Sequence, residues 1–240
     1  MDQPEQKLVA EMARGAKLLF DNAEALFNEA EVLGMQGHFA RALCLHQVSM
    51  EECSKIDLLG KAVVSVVLGL PVDLEKLTKL MAQHKVKNFN NAYFIGATDA
   101  EREARKSGEW DKARELFRAQ QAAFHREVND NKNASLYVDY VNGRFVAPSE
   151  RISETLAVQT QQLNGFFLQH ASLHIRLLQR FIDEPGLVES RLKTFMASIQ
   201  ELRKVPRSEV EDRFTELLET MAGSIPEGDA TPPRDEEPPV

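Results

Sequence analysis

Three groups of residues have the types and spacing that chemistry requires. Glu51-Glu52 followed by Lys55 places two acids and a base on one helical turn. Glu51 and Lys55 stand four apart with the acid N-terminal, the favourable order for an ion pair on a helix surface. The segment around them is among the most apolar of the chain, so the charges ask for a buried polar network or a site. His84-Lys85-x-Lys87, preceded by Lys76 and Lys79, concentrates positive charge in an otherwise acidic chain. Lysines pair phosphates, and an imidazole moves protons near neutrality. The plainer alternative is a solvated basic face at a helix end.

The third group pairs arginine with histidine. Arg118 and His125 are seven residues apart, two helical turns, and each follows an apolar seam residue, Phe117 and Phe124. They therefore lie one above the other at the rim of an apolar face. Arg41 and His46 are five apart and point roughly 140° away from each other. His46 also falls in the apolar stripe from Leu43 to Met50, which makes it a packed core histidine. His170 and His174 can share a metal from one helix face, but no HExxH or CxxC companion is present. Cys44 and Cys53 lack ligand spacing too and read as buried, reduced thiols. Neither a metal nor another cofactor is expected. The absence of GxxxxGK[ST], GxGxxG and GxSxG removes support for P-loop, dinucleotide and α/β-hydrolase chemistry.

The elements that must position these residues read as helix almost throughout. Leu8, Met12, Leu19, Ala23, Leu26, Ala30 and Leu33 form one amphipathic stripe, which Gly34 and Gly37 end. A second helix from about Phe39 becomes apolar all round through Val67, as a central bundle helix does, and Pro71 stops it. Asp73 can cap a short helix, LEKLTKLMAQH. A long segment carrying HKVKNFNNAYFIG follows, and its partner runs from Trp110 to about Val128. The heptad repeat of Trp110, Phe117 and Phe124 marks a buried seam in that partner. LYVDY and RFVAP alternate around Asn142-Gly143 like two short strands of a hairpin. Ser149 can cap a further helix that continues to Pro185-Gly186. Two shorter helices, near Leu187–Leu202 and Ser208–Met221, follow. The reading is an all-α bundle with a small extended hairpin near 136–147. Residues 1–182 form the main helical domain, 183–224 hold C-terminal helices packed on the bundle, and 225–240 form a disordered acidic, Pro-rich tail.

Composition bounds the rest. The 240 residues carry a net charge of −8, with 43% hydrophobic and 28% charged residues, an ordinary globular composition. From Ile225 on, Arg234 stands against Glu227, Asp229, Asp235, Glu236 and Glu237, so the tail holds half of that charge and half of the ten prolines. The body is therefore only mildly acidic and can carry a basic site. The longest apolar stretch, Ala62 to Leu70, is too short to span a bilayer, and the charged N-terminus lacks a signal-peptide pattern. A cytoplasmic location without a membrane partner is expected.

Taken in order, these pieces resemble the AbiV family of bacterial abortive-infection proteins, within the HEPN helical superfamily. The likeness is carried by NAEALFNEAEVL, by GHFARALCLHQVSMEECSK leading into Glu51-Glu52-x-x-Lys55, by HKVK at His84 to Lys87, and by NKNASLYVDYVNGRFVAPSE from Asn131 to Glu150. It spans roughly Leu18 to Leu168. The resemblance implies phage defence by arrest of the infected cell, and in many HEPN proteins a metal-independent ribonuclease that acts as a homodimer through an Arg-x(4–6)-His motif. In such chemistry a histidine takes the proton of an RNA 2′-hydroxyl while arginine or lysine stabilises charge on the phosphate. Arg118–His125 and Arg41–His46 both fit the spacing, and geometry favours the first. The expected catalytic residues are thus Arg118, His125 and His84, with Glu51, Glu52, Lys55, Lys85 and Lys87 binding RNA or supporting the site. One departure stands out: the superfamily motif usually carries a polar residue after the arginine, where this chain has Ala119 and Ala42. The alternative is a non-catalytic helical module that binds a phage or toxin-system protein, or a plain helical scaffold.

Overall fold

The computed structural model describes residues 1–92 and 95–202. The expected helix at Ser208–Met221 and the acidic tail lie outside the described residues. Among these there are nine helices and one two-stranded hairpin, an all-α architecture. Helix α1 (Gln3–Met35) starts at a capping box in which Asp2 and Glu5 satisfy each other's backbone N–H groups. It ends before Gly37, whose φ of 77° requires a residue without a Cβ. Its buried face is largely small, with Ala13, Ala16, Ala23 and Ala30 beside Val9 and Met12, so α2 (Phe39–Val67) can approach closely.

The apolar α2 occupies the centre, as its sequence requires. Around it the chain places α3 (Leu74–Ala82), capped by Asp73, then α4 (His84–Asn91), α5 (Asp99–Lys106) and α6 (Trp110–Leu136). The hairpin β1 (Asp139–Val141) and β2 (Arg144–Val146) follows, then α7 (Pro148–Arg151), α8 (Glu154–Asp183) and α9 (Pro185–Leu202). Helices α1, α3, α4, α6, α7 and α8 all contact α2. The residues through Pro185 form one compact unit, and the described residues from Gly186 belong to a second. Among the described residues no helix is long and apolar enough to cross a membrane.

The hairpin is antiparallel, with Tyr140 opposite Phe145. Asn142 and Gly143 have φ of 50° and 82°, the paired left-handed conformations that make an Asn-Gly turn suit two twisted strands.

Three expectations change. The segment carrying HKVKNFNN is not one long helix: α4 spans only eight residues, and Thr98 caps the separate α5. The Trp110–Phe117–Phe124 seam is not the buried line of α6. Trp110 is 46% exposed, and the buried residues are Ala113, Gln121, Val128, Ala134 and Ser135. Small and polar side chains there let α6 sit close to α2, α4 and α5, leaving the rings on the flanks. Ser153 rather than Ser149 caps the long helix, accepting from the Leu156 N–H, because α7 intervenes as a separate turn.

Leu43 is fully buried in a cluster with Ala40, Ala134, Ile152 and Ala157, joining α2 to the hairpin end of the bundle. Leu43→Ala is expected to destabilise the protein by about 2–5 kcal/mol, measured by urea unfolding, because the cavity cannot collapse between packed helices.

Candidate functional site: a lysine and histidine cluster around a buried carboxylate

The middle of α2 buries a carboxylate. Glu51 is 3% exposed, and three groups from elsewhere in the chain reach it. Lys87 Nζ on α4 lies 2.6 Å from Oε2, and Lys132 Nζ on α6 donates to Oε1 at 2.8 Å. His84 Nδ1, at the start of α4, lies 2.6 Å from Oε2. Burial by itself pushes the Glu51 carboxyl up; the hydrogen bonds and charges of Lys132 and Lys87 outweigh it, and the net shift is downward. Glu51 is therefore ionised at neutral pH.

A short polar helix delivers two of these groups, and it is itself stitched down by side-chain amides. On α4, Lys87, Asn88, Asn90 and Asn91 are buried. Asn91 Nδ2 donates to the Met50 carbonyl at 3.1 Å, and Ser54 Oγ donates to the Lys87 carbonyl at 3.0 Å. On the other side, Gln121 Nε2 of α6 donates to the Phe89 carbonyl at 3.0 Å. Without an apolar stripe of its own, α4 is fixed between α2 and α6 by hydrogen bonds to groups that would otherwise be buried unpaired.

His125 of α6 joins the same cluster. Its Nδ1 is 3.2 Å from Asn88 Nδ2, and its ring meets Phe89 edge-on at 5.7 Å between centroids. Lys85 Nζ stands 5.3 Å from the centre of that Phe89 ring. Burial, then the nearby charges of Lys85 and Lys132, hold the His125 pKa below its ordinary value, so the ring is neutral at pH 7. With the Asn88 amide donating to Nδ1, the neutral ring carries its proton on Nε2. The Nδ1 of His84 donates to Glu51, so a neutral His84 keeps its lone pair on Nε2. The two imidazoles are thus set up oppositely, one as donor and one as proton acceptor, and His84 is 59% exposed.

Lys85, Lys87 and Lys132 outnumber the Glu51 carboxylate, and Asp130, near His125, offsets only part of the difference. The surplus is positive, on a surface that His84 and Lys85 share with solvent. Cys44 borders the cluster, hydrogen-bonded to Ser135; burial pushes its thiol pKa up, so it is no nucleophile.

Of the residues marked from the sequence, the structure brings together Glu51, His84, Lys85, Lys87 and His125. Lys55 does not pair with Glu51: it reaches Glu52 at 2.6 Å, because Glu51 points to α4 and α6 instead. Glu52 faces a different groove, between α1 and α3. Arg118 is exposed and lines a groove of about 690 Å³ with Glu101, Arg105, Trp110 and Arg114, two turns from His125. Arg41 and His46 are separate as well. Arg41 is exposed, whereas His46 is 2% exposed, packed on Phe27 and hydrogen-bonded by Asn164; burial lowers its pKa to about 4. Sequence reasoning did not single out Lys132 or Asn88. Asn-rich polarity at HKVKNFNN was the available signal for Asn88, since amides crowd there without any turn; Lys132 offered none.

The HEPN_AbiV family model, described as AbiV, matches residues 11–169. The uncharacterized protein y4gJ of Sinorhizobium fredii is 35% identical over 115 residues, covering 48% of this chain and 60% of that protein. No solved structure matches.

Glu51→Ala leaves Lys87 buried without its counter-ion and is expected to cost about 3–5 kcal/mol in urea unfolding. The lowered Glu51 pKa also fixes a pH dependence. Its contribution to stability is complete above the ordinary carboxylate pKa of about 4.3 and is lost as pH falls through the lower folded value. Unfolding free energies from pH 6 down to pH 3 should fall more steeply for the wild type than for Glu51→Gln.

Proposed function

Because the chain belongs to the AbiV family of HEPN proteins, we propose that it is a bacterial anti-phage protein of the abortive-infection type, and that the Glu51 cluster binds and cleaves RNA without a metal. The observation that carries this reading is the buried Glu51 carboxylate holding His84 by Nδ1 amid a surplus of lysine charge. A carboxylate fixing one imidazole nitrogen sets the tautomer and leaves the other nitrogen to work as a base. In this scheme His84 Nε2 accepts the 2′-hydroxyl proton. The freed oxygen attacks the adjacent phosphorus, forming a cyclic phosphate as the 5′-oxygen leaves, and the imidazolium returns the proton to that oxygen. Lys85, Lys132 and the Nε2–H of neutral His125 stabilise the charge that grows on the phosphoryl oxygens. Cleavage arrests the growth of the infected cell. The proposal includes action as a homodimer in the cytoplasm.

The Arg-x(4–6)-His motif is used differently here from the preference reached on spacing. Its histidine, His125, belongs to the cluster, while Arg118 lines the groove between α5 and α6. A second reading, docking of a phage or toxin-system protein, has support from the hairpin. There Tyr140 and Phe145 pack edge to face at 5.1 Å yet are 66% and 72% exposed. A bare aromatic pair on a short hairpin suits a protein partner.

The test is incubation of purified protein with total cellular RNA in the presence of a chelator. His84→Ala and His125→Ala should each lower the cleavage rate by roughly a hundredfold or more while circular dichroism stays unchanged. Wild-type cleavage in both variants, or loss of cleavage in Arg118→Ala alone, would overturn this assignment. Growth arrest that persists in the two histidine variants but disappears in Phe145→Ser would favour the docking reading.

A further inference from the structure

On the other side of α4 lies a second constellation that the RNA reading does not use. We propose that Asp57, His170 and His174 bind a divalent transition metal of the zinc type. Asp57 sits on α2, and the two histidines stand one turn apart on α8, so the third ligand comes from a helix far earlier in the chain. This is why no motif around the histidines announces it. One candidate ligand atom from each of the three residues lies within 4.8 Å of the others. His174 Nδ1 is 2.6 Å from Asp57 Oδ1, and the two imidazole rings meet at 4.3 Å between centroids.

The donor chemistry selects the class of ion. Two imidazole nitrogens with one carboxylate oxygen suit zinc and its first-row neighbours, whereas magnesium and calcium favour all-oxygen sets. The geometry is close to what such an ion needs. Bonds of about 2.0–2.1 Å at tetrahedral angles put neighbouring donors about 3.3 Å apart. The His174–Asp57 distance of 2.6 Å therefore has to open by about 0.7 Å, a small adjustment of the partly exposed His174 ring. Asp57 is held from behind, as metal-binding carboxylates commonly are. Its other oxygen accepts from Asn90 Nδ2 at 3.0 Å, and Asn90 Oδ1 in turn accepts from Lys61 Nζ at 2.5 Å.

The site also has access. Asp57, Asn90 and His174 line an open cavity of about 790 Å³ whose other walls include Val64, Leu177 and Phe181. Two of the three protein ligands, Asp57 and His174, line this open cavity, which leaves a fourth coordination position for water or a small ligand, the arrangement of non-structural zinc sites. Lys61, also on the cavity wall, opposes a cation and moderates its affinity. It would also favour an anionic group in the fourth position. The alternative occupant is a proton: without metal, the His174–Asp57 pair simply clamps α8 to α2.

The experiment uses the full chain, stripped with a chelator and dialysed. Zinc is titrated by calorimetry, and cobalt(II) is followed by its visible absorption. The expected result is one saturable site with a micromolar or tighter dissociation constant and a cobalt spectrum of low, tetrahedral-like coordination. His170→Ala and His174→Ala should each weaken zinc binding by roughly tenfold or more, with helicity by circular dichroism intact. A chain that takes up no zinc at 100 µM, or binds it equally in wild type and both histidine variants, overturns the proposal. Should the histidine variants lose helicity, the conservative His170→Gln supplies the second test. It keeps a polar side chain of similar size while replacing an imidazole ligand by an amide, so zinc should bind roughly tenfold or more weakly, and unchanged binding counts against the site. The proposal shares no residue with the Glu51 cluster, and metal binding is read without RNA, so either can fail alone.

Discussion

A carboxylate buried in the middle of a bundle has to be answered by positive charge, and that requirement at Glu51 organises this molecule. Taking an ionised carboxylate out of water costs several kcal/mol even after relaxation. The offset must come from cations with good geometry, and the chain recruits them from two helices far away in sequence, Lys87 on α4 and Lys132 on α6. Neither can be replaced from within α2, because the neighbouring Lys55 is engaged by Glu52. The interaction therefore does more than neutralise a charge. It sets where α4 lies and carries His84 to a fixed point at the surface.

The same constraint explains why α4 is polar. A helix of eight residues is too short to be stable alone. Its fixation comes from Lys87, Asn88, Asn90 and Asn91, each spent on a partner in α2 or α6. Asn88 faces His125 and Asn90 faces Asp57, so one short element braces two separate groups of titratable side chains. Movement of α4 would disturb both at once. That physical coupling follows from the layout alone, whatever ligand each group takes.

Much of the scaffold was legible in the sequence, and the reasons are local. The apolar periodicity of α1, of which Met12, Ala23 and Ala30 are buried while its leucines are not fully covered, the all-round apolar character of α2, the Asp73 cap and the Asn142-Gly143 turn each report their own neighbourhood. His46 was legible as a core histidine because it sits inside an apolar stripe. The site was legible only in part. His84, Lys85 and Lys87 stand out as a cluster along the chain, and Glu51 stands out as a charge on an apolar helix. Their mutual contact does not, since local spacing points Glu51 toward Lys55. Lys132 lies in the polar run NDNKN, where nothing distinguishes it from a solvated lysine, and its 14% exposed side chain follows from helix packing rather than from its neighbours. The Trp110 seam failed for a related reason: heptad spacing identifies a face, but the packing partners decide which flank of that face is covered.

Glu51 gathers more positive charge than it neutralises, and the proposed function sets the remaining imidazole and lysines against a phosphate backbone. The most direct measurement is the affinity of the metal-stripped protein for single-stranded RNA as a function of salt. Each phosphate neutralised contributes about −0.7 to the slope of log affinity against log salt concentration. A slope of about −1.4 that falls by half in Lys85→Ala is the predicted result, because Lys85 and Lys132 each meet a phosphate. RNA binding that ignores salt, or a slope unaltered by Lys85→Ala, would contradict it.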